Sequence, residues 1–420
     1  VPDHRECPQQ APNEPDPQEE LILVGEKVGR ATVRGIVLTM VGALVLVLLA
    51  NLPASWYLRN YIWQYRIVGS KWETLQDLQT PVDTLVLGDS SCMMGVVPEV
   101  LGRRLGSTSL NLARHAAPVA LEDSWMLDTY LRKFGPPRSV VLVYAFFSLR
   151  EEFKPESLVS IPLPLGFWNR LNPPLTLSPA QQVQVAARKH LPIYYASSSV
   201  SRPVLTPWNA FRELEKVELQ PDGFLASPAN PESVDQTAAA HLEELQTGAR
   251  WTLSDSNRRG LQALLGASHA HGFPVYIALG PVYEGLVQAP AFQTCWQDLH
   301  RDLAGMAASC PQAHLVTDQP MAFAREDMQD DVHLTRTSAP RYTEHLARQI
   351  LAFRLRAVTR REGLGPRPWR PGRKPLGASP LNGMHPPGAR VRDSGCVAGA
   401  GGGPQRGAVA QVEVQRVGTP

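Results

Sequence analysis

Cysteine is scarce in this 420-residue chain, with five in all, and no Cys/His set has zinc-ligand spacing. That excludes a disulfide scaffold and a structural zinc site. Cys295 and Cys310 are the only pair close enough in one region to suggest a bridge, and two free thiols on a buried helix account for them equally well. Net charge is also low, since 41 Lys and Arg face 39 Asp and Glu for a balance of +2. No basic run interleaved with aromatics marks a nucleic-acid groove, so a nucleic-acid partner is not expected. No glycine-rich loop carries the Lys-Ser/Thr of a phosphate-binding loop, and no cofactor or metal is expected. His269 and His271 fall at a predicted helix end, where cationic side chains favour the dipole, which is role enough.

What the chain does have is one long apolar run. Residues 1–34 form a polar leader rich in Pro, Glu and Gln, expected to be disordered and cytoplasmic. Residues 35–58 carry no charge, and a membrane-spanning helix needs about 20 such residues. Lys27, Arg30 and Arg34 precede the run, and Trp56 and Tyr57 stand at its far end. The positive-inside rule then places the leader in the cytoplasm and the rest of the chain outside, a single-pass protein of the cell membrane. A signal peptide cleaved near Leu52-Pro53-Ala54-Ser55 and a buried core helix are the competing readings of the same residues.

After a polar connector to about residue 80, strands and helices alternate. Strands are expected at 82–87, 107–112, 139–147, 274–279 and 314–317, and helices at 97–105, 118–134, 254–271, 290–308 and 335–358. This rhythm predicts a three-layer α/β/α, flavodoxin-like domain over 80–358, with a parallel sheet and right-handed crossovers. Residues 150–250, dense in proline and aromatics with weak periodicity, read as an insertion or small cap. Residues 359–420 turn to Gly, Pro and Arg without an apolar period, which predicts a disordered tail or an artefact of the reading frame.

The chemistry concentrates in LVLGDSSCMMG, Leu85 to Gly95, where an apolar strand ends at Gly88 and Asp89 and Ser90 follow at once. Such a junction delivers a hydroxyl to the carboxyl edge of a parallel sheet, where ligands bind. A serine needs a base and a group that orients the base, and DDVHLT supplies Asp330 three positions before His333. Ser91 is the neighbouring rival for Ser90 as nucleophile.

These blocks resemble the SGNH (GDSL-type) hydrolase superfamily over roughly 80–150 and 254–355. Within it the chain looks most like the membrane-anchored branch associated with acylation of cell-surface polysaccharides. Met93 to Leu101 (MMGVVPEVL), Asn111 to Ala113 (NLA) and His333 to Ala347 (HLTRTSAPRYTEHLA) carry that likeness. The resemblance implies Ser90 as nucleophile, His333 as general base and Asp330, rather than Asp331, as its orienter. It also implies an oxyanion hole from the serine N–H, a glycine N–H and an asparagine side chain. Here Ala116 stands at the glycine position, and FSLRE after the third strand replaces the block that would carry the asparagine. Ser148 and Asn111 are the candidate substitutes, and losing one donor costs a hundredfold or more in rate (~10²). Arg114 and His115 are candidates for the pocket mouth.

The expectation is a membrane-anchored extracytoplasmic serine esterase or O-acyltransferase, acting on a surface polysaccharide or other acylated substrate. The branch implies a polytopic membrane acyltransferase as a partner. Two rivals are a catalytically impaired accessory protein that binds polymer through 150–250, and a lipase of the membrane surface.

Overall fold

The computed structural model describes residues 17–115, 119–201, 205, 218–228, 230–247 and 252–363. Five strands, β1 (Thr84–Gly88), β2 (Ser109–Asn111), β3 (Ser139–Tyr144), β4 (Val275–Leu279) and β5 (Ala313–Leu315), form one parallel sheet in the order β2-β1-β3-β4-β5. Alternation along the strands decides what covers each face. Leu85, Leu87, Val140, Leu142, Val275 and Ile277 enter one buried cluster; Val86, Val141, Val143, Tyr276 and Ala278 enter another. A strand buried on both faces reads as a continuous apolar run, as SVVLVY in β3 does.

The helices are α1 (Pro17–Tyr61), α2 (Trp63–Asp77), α3 (Ser90–Gly95), α4 (Pro98–Leu105), α5 (Val119–Phe134), α6 (Pro179–His190), α7 (Pro192–Tyr195), α8 (Pro231–Thr247), α9 (Asp255–His271), α10 (Pro290–Ala308) and α11 (Ala339–Gly363), of which α1 and α7 add nothing to the two buried clusters. Trp72 of α2, Trp125 of α5, Leu261 of α9 and Leu299 of α10 pack on the first face. Met93 of α3, Leu101 of α4, and Tyr342 and Leu346 of α11 pack on the second. The result is the three-layer α/β/α architecture expected, each buried leucine contributing about 1.5–3 kcal/mol. Between β1 and β3 the strand order reverses, which opens a crevice at the carboxyl ends of those two strands.

Several elements differ from expectation. The connector before residue 80 is helical, because Ile67, Val68, Trp72 and Leu75 recur at helical spacing and are buried. The leader is helical from Pro17 rather than disordered, as α1 continues N-terminally from the apolar run through good helix formers such as Glu20 and Leu21. Residues 1–16 lie outside the described residues. β3 ends at Tyr144, since the next N–H, of Ala145, is taken by the Asp89 carboxylate. α11 begins at Ala339, four residues late. Ahead of it the Ser338 hydroxyl bonds that of Thr335 and donates to the Asp327 backbone carbonyl, and Pro340 suits a helix's first turn.

The stretch 150–250 holds short 3₁₀ turns, α6, α7, an antiparallel pair (Glu218–Leu219 with Leu225–Ala226) and α8, a full helix that weak periodicity concealed. Of the expected tail, 359–363 complete α11 and 364–420 lie outside the described residues. Cys295 and Cys310 are free and buried, with Cys310 just past the end of α10.

From Thr32 to Tyr61, α1 is long and apolar enough to cross a membrane, with mean hydropathy 2.5 and only 6% of its most apolar window buried. A core helix would be mostly buried, so that reading fails.

Candidate active site

The strand-to-helix junction is built by three successive residues with separate tasks. Gly88 ends β1 at φ +143°, and a Cβ there would meet the Val143 carbonyl oxygen of β3 at 1.9 Å. Only glycine fits that close approach. Asp89 caps α3, its Oδ1 accepting the N–H groups of Ser91 (2.9 Å) and Cys92 (3.4 Å) and the Ser91 hydroxyl (2.6 Å). Its Oδ2 accepts the Ala145 N–H (2.6 Å) and the Ser148 hydroxyl. The buried carboxylate thus ties the start of α3 to the end of β3, and Ser90 is left as the first residue of α3.

That arrangement distinguishes the two serines. Ser91 is fully buried with its hydroxyl committed to Asp89. Ser90 lines a cavity of about 510 Å³, and its Oγ stands 2.7 Å from His333 Nε2. His333 Nδ1 is in turn 2.6 Å from Asp330 Oδ2. A carboxylate only accepts, so Nδ1 carries the proton and Nε2 is the acceptor facing the Ser90 hydroxyl. Asp330 is itself fixed, its Oδ1 accepting the N–H groups of Val332 (3.0 Å) and His333 (2.9 Å). The i, i+3 spacing folds the loop back on its own aspartate.

Burial opposes charge on His333, but the Asp330 carboxylate outweighs it and holds the imidazole pKa above its ordinary value. Burial likewise works against Asp330 ionising, and His333 with the backbone donors more than reverses that, so its pKa sits below the usual carboxylate value. His115, also on the cavity wall, is pushed down by burial and then by His333, which favours a neutral ring there.

The other expected site residues fare differently. Asn111 is fully buried, and its amide donates to the carbonyls of Cys92 (3.1 Å) and Val96 (2.9 Å) while accepting from the Ala113 N–H. It braces the far end of α3 and is no oxyanion donor. Ser148 does line the cavity, but its single hydroxyl proton goes to Asp89, so it too has none to offer an oxyanion. Ala116 lies outside the described residues. The donor at hand is the Ser90 N–H, a first-turn amide of α3 for which no acceptor is placed among the described residues. Arg114 is not at the pocket mouth. It is wholly buried, paired with Glu122 (2.9 Å) and Asp123 (2.7 Å), and donates to the Val119 carbonyl at the start of α5.

Sequence reasoning missed the walls of the cavity. Tyr65 and Val68 come from α2, and Glu151, Lys154, Glu156 and Arg188 from the stretch after β3. It also missed a second histidine–aspartate pair. His241 of α8 places Nδ1 2.5 Å from Asp331 Oδ2, and its ring stacks on Phe147 of the cavity wall at 4.5 Å. Nothing in AAAHLEEL signalled that contact, which depends wholly on where α8 docks. Among the described residues, no group of three or more His, Cys, Asp or Glu is placed to hold a metal.

No family model matches the chain, and no curated protein matches it. Among solved structures it is similar to one described as "the structure of a putative platelet activating factor from Streptococcus pneumonia". The two are 13% identical over 74% of this chain and 98% of that one, with a TM-score of 0.33.

Proposed function

We propose that the chain is a membrane-anchored serine esterase or O-acyltransferase, with Ser90 as nucleophile, His333 as general base and Asp330 as its orienter. The unbroken hydrogen-bonded series Asp330–His333–Ser90, at the crevice where the sheet order reverses, is the observation that carries this reading. His333 Nε2 takes the hydroxyl proton as Ser90 Oγ attacks an ester carbonyl. The imidazolium that forms is stabilised by Asp330, and it returns the proton to the departing alkoxide. Water or a sugar hydroxyl then releases the acyl group by the reverse sequence. The developing oxyanion is met by the Ser90 N–H at the positive end of α3. The resemblance to SGNH hydrolases of the polysaccharide-acylating branch supports a surface polymer as acyl acceptor and a polytopic acyltransferase as donor partner.

The bare apolar surface of α1 supports anchoring. Its last turns pack on the body, and Asn51, buried and accepting the Ile193 N–H at 3.0 Å, lies on the side of the chain that cleavage near Ala54 would remove. The body then stands outside the membrane, on the side opposite Arg34.

A second reading is an accessory protein that binds acylated polymer without turning it over. It is favoured by the commitment of both Asn111 and Ser148 to structural bonds. Turnover of p-nitrophenyl acetate by the full chain in detergent separates the two. The esterase reading expects hydrolysis that Ser90→Ala abolishes, whereas equal background rates for the two proteins would leave the accessory reading.

A further inference from the structure

The helix α7, Pro192-Ile193-Tyr194-Tyr195, is short, apolar and bare: Tyr194 is 77% exposed, Tyr195 42% and Ile193 40%. Its place along α1 gives that exposure a meaning. The Ile193 N–H donates to the Asn51 side chain at 3.0 Å, so α7 sits against α1 at the level of residue 51. A hydrocarbon layer of about 30 Å takes roughly 20 residues of helix at about 1.5 Å each. Counted from Gly35, the first residue after Arg34, that layer ends near Ala54, one turn beyond Asn51. On this side of α1, Asn51, Ala54 and Leu58 are covered by the body, while Leu52 and Trp56 on the opposite side stay bare.

The surroundings fit the same level. Trp56 and Tyr61, in edge contact at 5.4 Å, join Tyr194 and Tyr195 as aromatics at the end of the apolar run, where a bilayer's interfacial belt belongs. Arg59 follows the run on α1, a cation at the level of lipid phosphates, while Arg188 and Lys189, which close α6 immediately before α7, are engaged within the body by Glu156 and by the Ile161 and Leu163 carbonyls. Arg188 also links this ridge to the site, since its guanidinium stacks over the Tyr195 ring at 5.5 Å and lines the cavity that holds Ser90.

We propose that α7 dips into the headgroup layer of the leaflet from which α1 emerges, and that the cavity therefore takes its acyl ester from a molecule carried in that leaflet. The occupant of the bare ridge is the bilayer itself, continuous with the bilayer around α1. The proposal rests on the anchored-esterase reading, and its test keeps the two apart.

The full chain, with Cys7→Ser and Cys396→Ser, is reconstituted in nanodiscs of phosphatidylethanolamine and phosphatidylglycerol. A nitroxide is placed at Tyr194→Cys, at Leu44→Cys in mid-run, or at Glu99→Cys on the solvent-facing side of α4. Oxygen against nickel-chelate accessibility reports depth. The expected result is a label at 194 in the headgroup layer, at 44 in hydrocarbon and at 99 in water. A label at 194 as aqueous as that at 99, with 44 in hydrocarbon, overturns the ridge and leaves the anchor standing. Labels aqueous at both 44 and 194 overturn both.

The paired substitution Ile193→Ser with Tyr194→Ser tests delivery. Turnover of p-nitrophenyl palmitate dissolved in the nanodisc is expected to fall by about tenfold, as withdrawing large apolar contacts from the bilayer implies, with p-nitrophenyl acetate unchanged. Equal change in both esters overturns lipid-side delivery. A wild type no faster than Ser90→Ala on acetate overturns the esterase reading and delivery with it.

Discussion

Two histidine–aspartate pairs occupy adjacent aspartates of one loop, and they are alike in almost everything except where they lead. Asp330 holds His333 at 2.6 Å and Asp331 holds His241 at 2.5 Å, and both imidazoles are raised above their ordinary pKa by their carboxylates against the pull of burial. His333 continues to the Ser90 hydroxyl, whereas His241 ends on the face of Phe147. A histidine–aspartate pair alone therefore marks no catalytic site. What distinguishes them is the third partner, set by the strand-to-helix junction at Gly88-Asp89-Ser90.

Removing the imidazoles one at a time breaks the comparison most sharply. His333→Ala is expected to lower kcat on a soluble ester by at least ~10⁴-fold, because the nucleophile loses its base. His241→Ala, with no path to Ser90, is expected to keep turnover within about tenfold, its cost appearing mainly in stability. A steady-state assay of both variants checks this.

The aspartates give the next contrast. Asp330→Asn leaves the geometry but supplies a donor where His333 Nδ1–H needs an acceptor, so kcat is expected to fall by about 10⁴. Asp331→Asn loosens the clamp between α8 and the loop and is expected to cost about 1–3 kcal/mol in a denaturant melt, with a much smaller change in kcat.

Acidity sharpens the comparison with the smallest effect. A general base works unprotonated, so kcat/KM should fall as pH drops through the raised pKa of His333, with a midpoint above 6.5. The His241–Asp331 contribution to stability has the opposite direction. A group whose folded pKa is raised stabilises fully below its unfolded value and loses that share as pH rises through the folded one. Thermal melts across pH should show this slope in the wild type and a shallower one in Asp331→Asn.

The parts of the site that were legible in sequence are those whose chemistry is local. Gly88, Asp89 and Ser90 must be consecutive because a strand end, a helix cap and a first-turn residue are consecutive. Asp330 and His333 must be three apart for the loop to close on itself. The sheet was legible for a related reason, as β1, β3 and β4 are buried on both faces and need unbroken apolar runs. The rest is tertiary. The Asn111 amide is taken by the carbonyl at the end of α3, and the Ser148 hydroxyl by the Asp89 carboxylate. Neither contact, separated by 15 and 59 residues, leaves a periodic trace. Helix α8 was hidden because it buries only a narrow stripe, Val234 with Ala238, and α2 because its buried face, Ile67, Val68, Trp72 and Leu75, also takes in Lys71, a residue that reads as solvent-facing.

The most direct test of the central claim is covalent. The full chain is treated with a fluorophosphonate, and the adduct is located by peptide mapping in the wild type, His333→Ala and His241→Ala. A single adduct on Ser90, retained in His241→Ala and lost in His333→Ala, is the predicted result. An unlabelled Ser90, or labelling that survives His333→Ala undiminished, would contradict it.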